Sequence, residues 1–377
     1  MVNSLVLPLA WDRIAYHLAV PRIYIGEERI VEIPFIVHSN WPFNMEMLYA
    51  LALLVGSERL PQLLAFSFSV LTGCGLALVA GRHFDRRVGL LAMALFISMP
   101  VVRRESGTAM IDVPLGLYAL LAVAAMARWR FSGGRSWMIL SALFAGFAAG
   151  VKLTGASTGL LLGAFLLLIA VSGWQKAQRL SLTPLVLFGA TSLAMVLPWY
   201  LKSLVMTGNP IWPFLDNVFA SRNWDAVGTE LHNTWLRSYG TGTGLQSLLA
   251  MPWNLFMSER FGPALGLSGI ALIPAALVGY RRNRLVWYLF SFVVGSVIIW
   301  FYLNPAESVP YPRTPGDRPA GRGWLLVASR FGAASRPPRI GDALDSVGRH
   351  NHPVLFRCGK DGLAPAARLR VRADVAG

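Results

Sequence analysis

The sequence predicts an all-α fold, a polytopic transmembrane helix bundle of about eight spans with additional interfacial helices. Three observations lead there. Of 377 residues, 55% are hydrophobic and only 14% charged, against about 25% charged in a soluble globular chain. The apolar residues come in runs of about 17–21, the length of a helix that crosses the hydrocarbon core. The basic residues give a net charge of +15, yet most sit in short loops between apolar runs. That is the positive-inside pattern of a membrane protein, so no nucleic acid is expected as a partner. Two cysteines, Cys74 and Cys358, are too few for a disulfide framework or a cysteine metal site. Cys74, inside an apolar run, reads as a small packing residue.

Residues 1–59 are expected to form an external loop with interfacial helices. Charges interrupt residues 1–44 (Asp12, Arg13, Arg22, Glu27, Glu28, Arg29, Glu32), and no signal peptide is visible. Met45–Val55 is apolar but too short to span. The first part of the bundle occupies 60–199, with spans at 60–80, 88–102, 110–127, 137–151, 156–172 and 182–199. A polar external loop follows at 200–262, then a helix pair with spans at 263–280 and 285–303. From 304 to 377 the composition shifts to Arg, Pro, Gly and Ala, with 12 basic and 6 acidic residues and no periodicity. This irregular tail reads either as a flexible extramembrane tail or, in the preferred reading, as GC-rich sequence translated out of frame.

Loop charge sets the orientation. Loops 81–87, 128–136, 173–181 and 281–284 hold eleven basic residues, among them Arg82, Arg86, Arg128 and Arg135, and one acid, Asp85. They are expected in the cytoplasm. Loops 103–109, 152–155 and 200–262 and the N-terminal 1–59 then face the other side. An N-terminus on that side, with no span before it, leads us to expect that one upstream helix is absent. Arg103 and Arg104 form a basic pair on the non-cytoplasmic side, either snorkelling from a helix end or contacting an anion.

The residues suited to chemistry lie on that same side. The stretch AWDRIAYHLAVP (10–21) brings Asp12, Tyr16 and His17 within two helical turns, and in an α-helix Asp12 and Tyr16 share a face. Asp112 stands at the mouth of a span. An acid there is either an ordinary helix-end residue or cap, or one of a pair with Asp12. Lys152 interrupts AGFAAGVKLTGAS. It reads as a snorkelling lysine or as a phosphate contact, with Gly150 and Gly155 leaving room for an anion. His38 and Glu46, in HSNWPFNMEMLY, read as satisfied polar loop residues, and no HxxxH or HExxH spacing points to a metal. Trp199, Tyr200, Trp212 and Phe214 read as an aromatic belt, with sugar stacking as the other reading. Gly-Asn-Pro in TGNPIWPF (207–214) marks a bend. No Walker loop, GxGxxG, GxSxG or DxD motif is present, so no cofactor and no soluble nucleotide-sugar site is expected.

The succession WDRIAYHLAVPRIY, HSNWPFNMEMLY, AMIDVPLGLYA, AGFAAGVKLTGA and PWYLKSLVMTGNPIWPF resembles the GT-C superfamily of polytopic membrane glycosyltransferases. It is most similar to the bacterial branch of protein O-mannosyltransferases, aminoarabinose transferases and lipopolysaccharide core transferases. The resemblance covers about residues 8–303 and lies in the order and membrane side of the segments. Two features depart from it: the first transmembrane helix, and the later spans with their Arg-Tyr loop, are absent. The resemblance implies a polyprenyl-phosphate sugar donor and a glycan, lipid or protein acceptor. It implies a bacterial inner membrane and an active site on the periplasmic face. Asp12 matches the catalytic base and Asp112 the acid of the second external loop. Lys152 matches a lysine near the lipid-linked phosphate, with Arg103 or Arg104 beside it. Tyr16 and His17 are expected on the substrate side, supporting Asp12. A transporter or flippase would instead carry inverted repeats and mid-span ionisable residues, and neither is visible. A truncated membrane protein without activity is the remaining alternative.

Overall fold

The computed structural model describes residues 12–175, 182–239, 244–257 and 284–303. The expected span 263–280, the loop residues Lys176 and Arg179, Cys358 and the tail 304–377 lie outside the described residues. Among those described, every regular element is helical. Among the described residues, five helices are long and apolar enough to cross a membrane, which makes this an integral membrane protein of the all-α class.

The chain opens with a π-helical turn, Arg13–His17, then α1 (Ala19–Gly26), a 3-10 turn Val37–Asn40 and α2 (Asn44–Leu54). The bundle follows as α3 (Leu60–His83), α4 (Arg86–Ser98), α5 (Pro100–Glu105), α6 (Asp112–Ser132) and α7 (Arg135–Val151). A 3-10 turn, Leu153–Gly155, leads into α8 (Ala156–Gln175), and α9 runs Thr183–Thr207. Shorter α10 (Asp216–Phe219), α11 (Ala226–Tyr239) and α12 (Leu245–Met257) precede α13 (Arg284–Leu303).

Local chemistry sets several ends. Asp85 accepts from the amides of Arg87 and Val88 at 2.7 and 2.9 Å and so caps α4. The expected span 88–102 is not one helix. Met99 is extended (φ −60°, ψ 128°) ahead of Pro100, because a residue before proline is driven out of the α region. The run therefore divides into α4 and α5. Helix α9, in contrast, continues eight residues past 199 to Thr207, where Gly208 at φ +80° ends it in the left-handed region.

Large apolar side chains point outward along the long helices, with Leu78 on α3 at 74% exposure and Val186 on α9 at 65%. In water such a surface would be a liability, but in lipid it is the expected face. Cys74 is exposed on α3 with these side chains rather than packed inside. Helix α6 packs on α3 and α7, and α7 on α8 and α9. Hydrophobicity does not drive helices together in lipid, so small residues and interhelical hydrogen bonds do. Ser141 of α7 donates to the Ala122 carbonyl of α6 at 2.7 Å, and Ser192 of α9 to the Ala142 carbonyl of α7 at 2.9 Å. A core of Ala122, Met126, Ala142, Ala145, Leu162 and Phe188 fills the centre.

At the α7–α9 crossing, a Cβ on Gly146 would lie 2.5 Å from the Ser192 carbonyl oxygen, whereas one on Gly189 of α9 would meet nothing within 4 Å. Gly146→Ala is expected to destabilise the protein by about 1–3 kcal/mol through overpacking, and Gly189→Ala to leave stability level or raised. Thermal unfolding in detergent compares the two.

Candidate functional site

The N-terminal segment is the platform. In Arg13–His17 the Leu18 amide donates to the Arg13 carbonyl at 3.0 Å, an i→i+5 bond. The expected α-helical phasing of Asp12 and Tyr16 is thus replaced by a wider π turn, a distortion that occurs frequently at functional sites. Asp12 begins this turn half-buried and caps none of its amides. Tyr16 and His17 point inward, exposed by only 7% and 1%.

His17 Nδ1 lies 2.6 Å from Glu46 Oε1, with both side chains 1% exposed. Glu46, expected as a loop residue, is instead buried in the first turn of α2. The Tyr16 ring stacks on His38 at 4.2 Å and 8°, and His38 meets Trp41 edge-on at 4.4 Å. Burial is the main influence that pulls His38 down to about 4, and the nearby charges of His17, His232 and Lys152 add to it. Burial likewise pulls the Arg13 guanidinium down to about 10; its Nε and Nη2 have no hydrogen-bond partner.

The bundle contributes the charged half. Asp112 is the first residue of α6, and Lys152 ends α7. The Lys152 ammonium donates to Asp112 Oδ1 at 3.1 Å, with side-chain exposures of 31% and 49%. Asp112 therefore ties two helix ends together and caps no amide of its own helix. Burial alone would pull Lys152 down, but the bonded Asp112 and the nearby Asp12 and Glu105 outweigh it, and the ammonium is held above its ordinary value. Glu105 is raised, first by burial and then by Asp112, against the opposing pull of Arg104. Arg104 pairs with Glu105 at 3.3 Å and is otherwise exposed, as is Arg103.

Gly150 and Gly155 do not leave room for an anion. A Cβ on Gly150 would lie 2.1 Å from Asn44 Nδ2, and one on Gly155 2.0 Å from the Ala148 carbonyl oxygen. They serve close protein packing, and at Gly150 the neighbour is α2. A recess of about 210 Å³ lies beside this junction, lined by Leu115, Thr154, Gly155, Thr158, Phe292 and Trp300. It begins within a turn of both Asp112 and Lys152 and is walled by α6, α8 and α13.

The end of α9 completes the platform. Trp199 Nε1 donates to Asn44 Oδ1 at 2.6 Å. Lys202 donates to the Ser39 carbonyl, its ammonium 5.1, 5.6 and 5.7 Å from the rings of Phe43, Trp199 and Tyr24. Trp199 and Trp212 are thus structural here: Trp212 is 4% exposed and its indole donates to the Val37 carbonyl at 3.0 Å. The TGNP bend also acquires a role. Asn209, fully buried, donates to the Phe214 carbonyl and Ser221 Oγ at 2.8 and 3.0 Å and accepts from the Ile211 amide at 2.9 Å.

Residues 59–208 match the model of the dolichyl-phosphate-mannose-protein mannosyltransferase family. This is a GT-C family, and the resemblance read from the sequence is borne out over that segment. The match includes Arg103, Arg104, Asp112 and Lys152; Asp12, Tyr16 and His17 lie ahead of it. An uncharacterized protein of Shigella flexneri is 29% identical over 122 residues, 31% of this chain and 60% of its own length. A second from the same organism is 19% identical over 139 residues, 37% of this chain and 70% of its own length. The chain thus spans about three-fifths of the first of these relatives. No solved structure matches.

Glu46, Glu105 and Lys202 were not expected as members of this site. Glu46 and Lys202 each had a signal, a lone charge inside an apolar helical run, the same signal that singled out Lys152. The depressed His38 gives a testable pH dependence. Between pH about 4 and 6.5 the unfolded chain binds this proton more readily than the folded one. The associated stability is fully present above pH about 6.5 and is lost as pH falls toward 4. Histidine NMR should place the His38 midpoint near 4, and His38→Gln should flatten that part of the stability profile.

Proposed function

We propose that this protein is an integral membrane glycosyltransferase that moves a sugar from a polyprenyl-phosphate donor to an acceptor hydroxyl at the non-cytoplasmic membrane face. The acceptor is a glycan, a lipid or a protein. The observation that carries this reading is the Asp112–Lys152 pair, which joins the ends of α6 and α7 at 3.1 Å inside the segment that matches the mannosyltransferase family.

The isoprenoid tail of the donor stays in lipid, and the recess beside Thr154 and Gly155 suits the part of it nearest the phosphate. Lys152, already protonated and partly exposed, then meets the phosphate, with Arg103 or Arg104 nearby. Asp112 keeps that ammonium charged and aimed. The acceptor oxygen attacks the anomeric carbon as the carbon–oxygen bond to phosphate breaks. The bonding pair leaves with the polyprenyl phosphate, whose growing charge Lys152 offsets. Asp12 takes the hydroxyl proton. One displacement inverts the anomeric centre.

Tyr16 and His17 work from behind, because both are buried: they fix the turn that carries Asp12. The bacterial inner membrane and the periplasmic face belong to this proposal, supported by the arginine-rich loops at the opposite ends of the helices.

The test is transfer of radiolabel from a polyprenyl-phosphate sugar in membranes that contain the protein. Asp12→Asn is expected to lower the rate by about 10²–10⁴-fold, and Lys152→Met by about 10²–10³-fold. Full activity in Asp12→Asn removes it as the base. Absence of any lipid-dependent transfer by the unaltered protein overturns the function.

A further inference from the structure

A second cavity, of about 490 Å³, lies in the loop region after α9 and is lined by Phe214, Asp216, Asn217, Trp224, Glu230 and Asn233, among others. Its volume falls within the range of small-molecule pockets, about 300–1,000 Å³. The transfer reaction proposed above assigns it no part.

We propose that this cavity is a subsite for a neutral, hydroxyl-rich acceptor, a sugar ring that stacks on Trp224. Four observations support it. The first is a fixed aromatic wall. The Trp224 indole donates to Thr229 Oγ1 at 2.8 Å, and its ring meets Trp212 edge-on at 4.9 Å and 70°. The N–H is therefore satisfied within the protein, and the ring is held in place. An aromatic face carries partial negative charge and attracts the polarised C–H bonds along one face of a pyranose.

The second is the polar complement. Asp216 and Glu230 carry acceptors, and Asn217 and Asn233 carry both donors and acceptors. Hydroxyl groups, which donate and accept, satisfy this set. Asp216 is itself oriented, since its Oδ1 takes the Ser221 amide at 2.8 Å. The third is charge. Neither Lys nor Arg belongs to the described lining, and its one histidine, His232, is held below its ordinary value by burial, so a phosphate or carboxylate ligand is disfavoured beside two acids. Among the described residues no group of three or more His, Cys, Asp or Glu side chains is placed to hold a metal ion.

The fourth is that the loop supplying the wall is built under strain, at Leu215 in the lining and at Ala220 and Asn223 beyond it. Leu215, Ala220 and Asn223 adopt φ of 53°, 47° and 58°, conformations that non-glycine residues rarely take and that cluster at ligand clamps. The Asn209 network holds this loop in that shape. The same loop is fastened to the N-terminal platform, through Trp212 to the Val37 carbonyl at 3.0 Å and through Asn223 Nδ2 to Glu32 Oε1 at 2.7 Å. A ligand in the cavity is thus held by the loop that braces the segment carrying Asp12 and His38.

The use of this subsite as an acceptor site rests on the glycosyltransferase reading; the binding itself does not. The full chain in nanodiscs should be tested by saturation-transfer NMR against oligosaccharides of mannose, glucose, galactose and N-acetylglucosamine, with a serine- and lysine-containing pentapeptide alongside. Saturable binding of an oligosaccharide is expected. Trp224→Ala should weaken it by about tenfold or more, and Glu230→Gln, at an exposed position that does not threaten folding, should weaken it by several-fold. Asp112→Asn should leave it unchanged. Binding of none of the oligosaccharides, binding of the peptide alone, or undiminished binding by Glu230→Gln and Trp224→Ala would overturn the subsite. Retained sugar binding in a protein with no transfer activity overturns the transferase reading alone.

Discussion

The contact between His17 and Glu46 governs the arrangement of this protein. It joins two side chains 29 residues apart, at 2.6 Å, with almost no exposure. Burying polar groups of this kind is expensive unless each finds its partner, so the N-terminal turn and α2 are pinned to one relative position. From that position Tyr16 meets His38, α2 lies against Gly150 of α7, and Tyr49 donates to the Met110 carbonyl at 2.6 Å. Met110 precedes Asp112 by two residues. A buried imidazole–carboxylate contact in the N-terminal segment is thereby linked, through one helix, to the loop that presents the Asp112–Lys152 pair.

The helical class was legible because lipid constrains both backbone and composition: a long run of apolar residues has one stable solution. The places where that reading differed have local causes. Pro100 divides a run that hydropathy reads as continuous. Residue composition around Lys152 suggested an open anion site, but Gly150 and Gly155 turned out to be filled by Asn44 and Ala148, neighbours that spacing along the chain does not reveal. The Asp112–Lys152 pair was visible as two lone charges on one side. That they bond each other, 40 residues apart, depends on the crossing of α6 and α7. Glu46 does have a polar partner, but it sits in α2 rather than in a loop, and that partner, His17, comes from a π turn 29 residues away that periodicity does not reveal. Asn209 looked like simple turn chemistry, because a single sequence does not show how many bonds one amide side chain makes.

The charges sort by solvent. In α6 and α7 the ionisable residues occupy the ends, Asp112 and Lys152 at one and Arg130 and Arg135 at the other, with apolar and small residues between. A charge at mid-membrane is costly, so chemistry that needs charge is restricted to the rims. A donor whose apolar tail remains in lipid suits this restriction. It brings its phosphate to the rim without requiring a polar path through the bundle. An ion pair with both members partly exposed is also easily opened by a stronger anion, since surface pairs contribute little stability. For the proposed reaction that is an advantage: the phosphate takes over from Asp112 at Lys152 with a small net change.

The end of α9 connects the N-terminal platform to the loop that follows α9. Trp199 holds Asn44, Lys202 holds Ser39 within an aromatic box, and Ser203 and Thr207 hold the Asn209 carbonyl at 2.7 and 3.1 Å. Arg222 returns to the same place, its amide donating to the Thr207 carbonyl at 2.7 Å. Two structures far apart in the chain, the platform with Asp12 and the loop around Trp224, therefore share one support. The platform has a small apolar core of its own, Tyr16, Val20, Tyr24, Ile33 and Phe43, and both are anchored by buried polar bonds to a helix that the membrane already orders. That arrangement explains why α9 continues past the hydrophobic run to Thr207. Its last two turns serve as a post for the loops, and their register sets the spacing between the acid that would take the proton and the cavity that would hold the acceptor.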